Sequence, residues 1–179
     1  MHEHNQSSRK MSPKQVTQHV DQCMAVLKAS GNRVTEPRKA VIRCLVMATN
    51  ALSPKEILAA VENDKTGPDI DQVTVYRILD TFSQLGLVHQ VADGVYMACM
   101  HLDCRVELHA LTRCQKCGAA EELDVPAEMI SPLVWYLDHE VNFNHTSHFF
   151  QIEGICQRCS GSTKGKRRKS DAPQGAKAH

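Results

Sequence analysis

Two pairs of cysteines with the same internal spacing are the first feature of this sequence that could do chemistry. They are Cys114-Gln-Lys-Cys117, followed by Gly118, and Cys156-Gln-Arg-Cys159. Two pairs of this kind supply the four sulfurs of a closed tetrahedral site. One pair alone would also suit a redox centre, but the paired arrangement favours a metal. The spacing therefore predicts a structural Zn²⁺ site formed by Cys114, Cys117, Cys156 and Cys159.

A second group of possible ligands lies around the first cysteine pair. Its members are imidazole, thiol and carboxylate side chains, namely His89, Cys99, His101, Cys104, His109 and Glu122. A mixed nitrogen, sulfur and oxygen set suits Zn²⁺, whereas a thiolate disfavours Mn²⁺ and Mg²⁺. The competing interpretation is a set of exposed polar residues on strand edges that share no ion. We expect a second metal here, at a joint between domains where it could act as a regulator.

The elements that must position these residues begin with helices. Apolar spacing and capping residues predict helices over 14–29 and 36–47, a third after the N-cap Ser53, and a fourth from Asp69 or Asp71 to just before Gly86. The fourth has an apolar stripe of Val75, Ile78, Leu79, Phe82 and Leu85. Strands over 87–91 and 95–99, joined by Ala92-Asp93-Gly94, then predict a hairpin. Helices closed by a hairpin are typical of a winged helix-turn-helix domain.

Beyond Met100 the pattern changes to short strands, over 107–113, 119–123 and 148–155, with a helix over 127–141 that contains Pro132 in its first turn or at a kink. The predicted fold class is α+β, with a winged helix-turn-helix domain followed by a small α/β domain that carries the four-cysteine zinc site. We expect these domains at 13–100 and 101–160. The segments 1–12 and 161–179, the latter basic, are predicted to be disordered.

The fourth helix would be the DNA-reading helix. In a helix-turn-helix domain this helix enters the major groove with its N-terminal half, here 71–80. An arginine there can pair with guanine or phosphate, and a tyrosine can contact a thymine methyl group. In isolation the same residues would be a solvated helix face, but the fold favours DNA contact. The candidate DNA-binding residues are Arg33, Arg38, Gln72, Thr74, Tyr76 and Arg77.

The distribution of charge agrees with this division. The net charge of +1 hides three segments: Lys10–Leu87 has ten basic and eight acidic residues (+2), Val88–Cys159 has four and ten (−6), and the segment after Cys159 has six and one (+5). An acidic middle suits cations, while the flanks could approach phosphates. The sequence has no secretory signal and no run of about 18 apolar residues, so we expect a cytoplasmic protein with reduced thiols and no membrane partner.

Two other classes of protein are compatible with parts of the sequence. A metalloenzyme would need an open coordination position beside a general base, but His139-Glu140-Val-Asn-Phe lacks the second histidine of the HExxH motif. We therefore predict neither an enzyme nor a small-molecule substrate. A zinc-stabilised adaptor that binds only protein stays open, and it would leave no footprint on DNA.

Taken together, these motifs resemble the ferric uptake regulator (Fur) family of bacterial metal-dependent repressors. The resemblance is carried by Gly31-Asn-Arg-Val-Thr-Glu-Pro-Arg38, Val73-Thr-Val-Tyr-Arg77, Leu85-Gly-Leu-Val88 and the two cysteine pairs. It implies a homodimer whose C-terminal domain is a dimerisation domain, and repression at metal-responsive DNA operators.

Within that family the ligand set looks like that of the zinc uptake regulators (Zur), with His89, Cys99, His109 and Glu122 as the regulatory tetrad and His101 or Cys104 as substitutes. Iron- and peroxide-sensing members typically have a regulatory histidine where this chain has Ala51. The resemblance therefore implies a zinc-responsive repressor of metal-uptake genes that binds an AT-rich palindrome. Fe²⁺ or Mn²⁺ is less favoured, and an iron- or peroxide-responsive regulator is the alternative.

Overall fold

The first half of the chain folds as four helices, three of which begin at a capping side chain. The computed structural model describes residues 11–91, 94–101, 109–123, 125–144 and 149–161. The helices are α1 (Pro13–Ala29), α2 (Glu36–Met47), α3 (Pro54–Asn63) and α4 (Gln72–Gln84). Capping boxes begin α1, with Ser12 and Gln15, and α3, with Ser53 and Glu56. Asp71 caps α4 by accepting a hydrogen bond from the Thr74 amide at 2.6 Å.

The four helices bury one continuous apolar core. Val75, Ile78, Leu79 and Phe82 form the buried face of α4, as the spacing predicts, while Leu85 is only half-buried because it caps the end of the helix. They pack with the inner faces of α1, α2 and α3, which include Leu27, Ile42 and Ile57. Gly86 follows with φ of 70°, the left-handed conformation that ends a helix.

An antiparallel hairpin closes this helical unit. Its strands are β1 (Val88–Val91) and β2 (Val95–Ala98), and Val91 pairs with Val95. Leu52, between α2 and α3, exchanges two backbone hydrogen bonds with Tyr96, at 2.8 and 2.7 Å. The hairpin is thereby attached to the helices as a wing, which confirms the predicted winged helix-turn-helix architecture. Of the predicted connecting turn, Ala92 and Asp93 lie outside the described residues.

The second half of the chain is a small α/β unit. Strands β3 (His109–Cys114), β4 (Ala120–Leu123) and β5 (Phe149–Gly154) form a sheet in the order β4-β3-β5. β3 is antiparallel to β4 and parallel to β5. A parallel pair needs a crossover, and α5 (Ala127–His139) lies in it.

Local details of this second unit differ from the sequence expectations. α5 ends at His139 and not at Val141, and Pro132 lies inside the helix. A short helix that the sequence did not predict, α6 (Gln157–Ser160), begins right after Cys156. The predicted strand start at 107–108 lies outside the described residues. So do residues 1–10 and 162–179 of the terminal segments predicted at 1–12 and 161–179, whereas Ser12 is the N-cap of α1.

Candidate metal centres and nucleic-acid interface

The parallel pairing of β3 with β5 brings the two cysteine pairs together. Cys114 ends β3 opposite Gly154, and the Gln115 amide donates to the Gly154 carbonyl at 2.8 Å. Because parallel strands end at the same edge of a sheet, the turn after each strand begins at the same place. Gly118 has φ of 71°, and its amide donates to the Cys114 carbonyl at 2.8 Å, closing the first turn. This geometry explains how pairs separated by 38 residues meet.

The four sulfurs form one cluster, the four-cysteine cluster of Cys114, Cys117, Cys156 and Cys159, within 4.8 Å of one another. Cys117 Sγ lies 3.8 Å from Cys156 Sγ. Zn–S bonds of about 2.3 Å in a tetrahedral site place the sulfurs about 3.8 Å apart, so the separation fits that ion. The Cys156 amide donates to Cys114 Sγ at 3.3 Å, as expected where the backbone folds around a thiolate.

The electrostatics of this cluster favour a cation. Backbone N–H groups of Cys156 and Cys117 lower the pKa of Cys114 to about 6, which favours the thiolate form that metals bind. Hydrogen bonds with Cys117 and Cys156 raise the pKa of Cys159 to about 12. Four sulfurs this close cannot all become anionic without a neutralising charge. The donor chemistry therefore fits Zn²⁺.

A second cluster, the joint cluster of His89, Cys99 and Glu122, lies between the wing and the three-stranded sheet. His89 is on β1 and Cys99 follows β2, while Glu122 is on β4 opposite Leu111. All three side chains are buried, and that of Glu122 is only 4% exposed. Glu122 Oε1 lies 3.4 Å from His89 Nε2 and 3.6 Å from Cys99 Sγ. Imidazole, thiol and carboxylate thus converge on one point, a donor set that suits zinc.

The joint cluster strongly perturbs its own titration. Burial opposes charge on His89, but hydrogen bonds with Cys99 and Glu122 outweigh it and raise the pKa of His89 to about 9. Burial likewise opposes charge on Glu122, yet His89, the Met100 amide and His101 lower its pKa to about 2. A buried, charge-paired group between two structural units is typical of functional sites.

The remaining candidate ligands divide into three cases. His101 Nδ1 lies 3.0 Å from Glu122 Oε1, and its side chain is nearly half exposed at the edge of the joint cluster. His109 begins β3, two residues before the strand partner of Glu122, but its side chain lies outside the described residues. Cys104 also lies outside them. The structure therefore brings together His89, Cys99, Glu122 and His101.

The predicted DNA-reading face of α4 is open to solvent. Gln72, Tyr76 and Arg77 are exposed, and Thr74 is half-buried because its amide and side chain face the Asp71 cap. Arg33 is exposed before α2, whereas Arg38 lies within α2 and donates from Nη1 to the Arg33 carbonyl at 2.6 Å. These positions place all six predicted residues on the surface or at its edge.

Two residues that the sequence analysis did not single out stand beside these sites. Val73, on α4, is 56% exposed next to Tyr76, an apolar group suited to a thymine methyl. In the sequence, Val73 could have been recognised because it lies outside the buried apolar stripe of α4. His19, on α1, is 5% exposed and shares the helical spacing of Val16, Val20 and Cys23. In the sequence, His19 could have been recognised as a histidine within the apolar stripe of α1.

The α/β unit exposes a large apolar surface. Trp135 and Tyr136 on α5 are each more than half exposed. The other exposed apolar residues of this unit are Met129, Leu133, Val141, Phe143, Ile152 and Ile155. Scattered exposed apolar residues are ordinary, but four of these eight residues lie on one helix, α5, and such a concentration is typical of an interaction surface. Among the described residues, no helix has the length and apolarity needed to cross a lipid bilayer.

A winged helix joined by a histidine–cysteine–carboxylate cluster to a sheet with four clustered cysteines defines the class of metal-responsive DNA-binding regulators. The profile of the ferric uptake regulator family matches residues 29–153. The chain belongs to the ferric uptake regulator family. It is therefore a metal-responsive transcription regulator and not an enzyme.

Individual relatives are distant but cover most of the chain. The peroxide-responsive repressor PerR of Staphylococcus aureus is 24% identical over 80% of this chain and 93% of its own length. A zinc uptake regulator solved with zinc and DNA superposes with a TM-score of 0.68 at 24% identity, covering 82% of this chain and 95% of that one. The structure of holo XcZur gives 0.66 at 23% identity, covering 84% and 100%. At these identities the superpositions establish the shared fold.

Proposed function

We propose that this protein is a zinc-responsive repressor of metal-uptake genes that acts in the cytoplasm as a homodimer. The single observation that carries the proposal is the convergence of His89, Cys99 and Glu122 at the joint between the wing and the three-stranded sheet. An imidazole, a thiol and a carboxylate form a donor set that favours Zn²⁺ over Mn²⁺. A solved relative described as a zinc uptake regulator bound to zinc and DNA has the same fold.

The two clusters would have different roles. The four-cysteine cluster would hold a structural Zn²⁺, because four sulfurs saturate the ion and both pairs lie at the ends of neighbouring strands of one sheet. The joint cluster would hold the regulatory ion, since its ligands come from two separate units. His109 or His101 would complete it as fourth ligand, with Cys104 as a further substitute.

Bound Zn²⁺ at the joint would supply coordination bonds that oppose movement of the wing relative to the sheet. His89 and Cys99 would then keep the winged helix in one orientation, and Glu122 would keep that orientation tied to the dimer. In this arrangement the two α4 helices of the dimer would sit at the spacing of two half-sites on an AT-rich palindrome. The affinity for DNA would then depend on metal, because the bound ion stabilises one of several orientations of the winged helix.

Dimerisation is assigned to the apolar surface of α5 and β5. Trp135 and Tyr136 are 54% and 53% exposed, and aromatic residues are enriched in interfaces. β5 is also an edge strand of its sheet within the described residues, so its second side is open to a partner strand. A second copy of the chain would cover both features at once.

DNA contact is assigned to Arg77, Tyr76, Gln72 and Thr74 on α4, with Arg33 and Arg38 at the phosphate backbone. Arg77 and Gln72 are exposed on the N-terminal half of the helix, where side chains reach base edges in this fold. The adaptor interpretation loses its support, because the family consists of DNA-binding regulators.

An iron- or peroxide-responsive regulator is the second candidate, favoured by the similarity to a peroxide-responsive repressor. Binding of purified protein to a palindromic operator, measured in buffers that fix free zinc, iron or manganese, separates the two. We expect affinity to rise with free zinc at a lower concentration than with iron or manganese. Affinity that rises with iron and not with zinc would overturn the zinc assignment.

A further inference from the structure

The peptide group between Cys99 and Met100 is held from both sides by different parts of the fold. The Cys99 carbonyl accepts a hydrogen bond from Nε2 of His19 at 3.0 Å. The Met100 amide donates to Oε2 of Glu122, also at 3.0 Å. His19 lies on α1, the first helix of the winged helix, and Glu122 lies on β4 of the other unit. One planar, rigid group therefore connects the two halves of the chain.

His19 is built into this position. It is 5% exposed and lies on the inner face of α1 with Val20 and Cys23. A buried ring N–H needs an acceptor, and the Cys99 carbonyl provides one from 80 residues away. Burial also lowers the pKa of His19, and since a carbonyl can only accept, Nε2 must carry the hydrogen.

Cys99 is anchored to the winged helix by its backbone and directed to the joint by its side chain. Its amide donates to the Leu87 carbonyl at 3.0 Å, and its carbonyl is held by His19. Its Sγ is 3.6 Å from Glu122 Oε1. Glu122 therefore contacts the thiol of Cys99 and also, through the Met100 amide, the peptide group that Cys99 shares with Met100.

We propose that His19 is a positioning residue that couples the joint cluster to α1 through the Cys99–Met100 peptide group. The proposal rests on the proposed function, because it assigns a route by which metal occupancy at that cluster reaches the DNA-reading unit. Any adjustment of Glu122 or Cys99 on metal capture tilts this peptide group, which moves as one body. Hydrogen bonds on its two sides also polarise each other. His19 transfers the change to α1, which packs on α2, and α2 packs on α3 and α4.

The alternative is a histidine that only fills the core. His19→Leu removes the donor while keeping an apolar side chain of similar size, and His19→Gln keeps an amide donor. Gln22→Leu, at an exposed residue of the same helix outside both clusters, is the matched control. The measured quantity is the ratio of operator affinities with and without zinc, together with the absorption spectrum of Co²⁺ bound at the joint cluster.

We expect His19→Leu to lower the zinc-dependent affinity ratio at least fivefold, the lower end of ordinary coupling between sites, about 5–150-fold. His19→Gln should restore it to within about twofold, and Gln22→Leu should leave it unchanged. The Co²⁺ spectrum should change in His19→Leu, because the Cys99 thiolate is repositioned. If His19 only fills the core, His19→Leu will lower the stability of the protein with and without zinc but leave the affinity ratio and the Co²⁺ spectrum unchanged. That result would overturn the proposal.

The controls separate this proposal from the function beneath it. A wild-type protein whose affinity does not respond to zinc would overturn both. A wild-type response that His19→Leu fully retains would overturn the role of His19 alone. If His19→Leu fails to fold, proton NMR of the wild type decides whether His19 couples the two units. The imidazole Nε2–H resonance is assigned by its loss in His19→Gln. We expect this proton to exchange slowly with solvent and its resonance to shift on zinc addition, and an unshifted resonance would overturn the coupling.

Discussion

Glu122 Oε1 lies 3.4 Å from His89 Nε2, although the two residues belong to different sheets. His89 is part of the wing, which is joined to the DNA-reading helix, and Glu122 is part of the three-stranded sheet that carries the four-cysteine cluster. Whatever bridges these two side chains restricts the orientation of one unit relative to the other. Their proximity is therefore the structural basis for the proposed metal control of DNA binding.

Removal of either side of this contact should abolish the zinc response. We expect His89→Ala and Glu122→Gln to lose the zinc-dependent gain in operator affinity, a loss of about 5–150-fold. Both variants should keep the metal of the four-cysteine cluster, because neither residue belongs to that cluster. Fluorescence anisotropy in zinc-buffered solution measures the affinity, with Gln22→Ala, at an exposed residue of α1, as control. A full zinc response in both variants would show that the ligand set is wrong.

Zinc capture at the joint should release protons. In the metal-free protein the pKa of His89 is raised from 6.5 to about 9, so its paired, charged form stabilises the fold fully below pH 6.5 and loses this effect as pH rises through about 9. Zinc needs the neutral imidazole, so its affinity should rise over the same interval, about tenfold per pH unit for each proton displaced. Chelator competition at several pH values and calorimetry in buffers of different ionisation heat measure this. An affinity independent of pH would contradict it.

The pairing of Glu122 with His89 also predicts that the contribution of Glu122 to stability persists to low pH. The pKa of Glu122 is lowered from 4.5 to about 2, so its contribution to stability is present above pH 4.5 and lost only as pH falls through about 2. In Glu122→Gln, metal-free stability should therefore depend less on pH in this acid range than in the wild type. Thermal unfolding of metal-free protein against pH measures the difference, and identical profiles would contradict the pairing.

Loss of one cysteine from the four-cysteine cluster should cost structure and not merely regulation. We expect Cys117→Ser to reduce tightly held zinc from one ion to none per protomer. Its unfolding free energy should fall by more than the roughly 1 kcal/mol of an average substitution, because metal binding and folding of such a site are coupled. Metal analysis after mild chelation and thermal unfolding are the measurements. Cys44→Ser, at a half-buried cysteine outside both clusters, is the control.

Arg77 should carry a large share of DNA affinity. Arg77→Ala should weaken operator binding by about 1–3 kcal/mol, roughly 5–150-fold, and reduce the discrimination between operator and unrelated DNA if the guanidinium reads a base. Arg158→Ala removes an exposed arginine from α6, beside the four-cysteine cluster, and should have little effect. Equal losses in the two variants would indicate non-specific electrostatics and not a reading helix.

Much of the fold could be predicted because its signals are local. Ser53 and Glu56 form the capping box that their spacing predicts, and Asp71 begins α4 as one of the two expected caps. These signals involve residues three apart, whose geometry is set as soon as a helical turn forms. Each cysteine pair is equally local, so its ability to bind a metal could be recognised without knowledge of the fold.

What the sequence alone determined was the set of local units: four helices, a hairpin, and two cysteine pairs able to bind metal. Only the tertiary structure decided which units meet. The parallel register of β3 and β5 joins Cys114 to Cys156, and the packing of wing against sheet joins His89 to Glu122. The sequence indicates the contact of His19 with Cys99, 80 residues away, only by placing one polar residue on an apolar stripe. Such contacts depend on how whole elements pack, and short-range spacing carries no information about that packing.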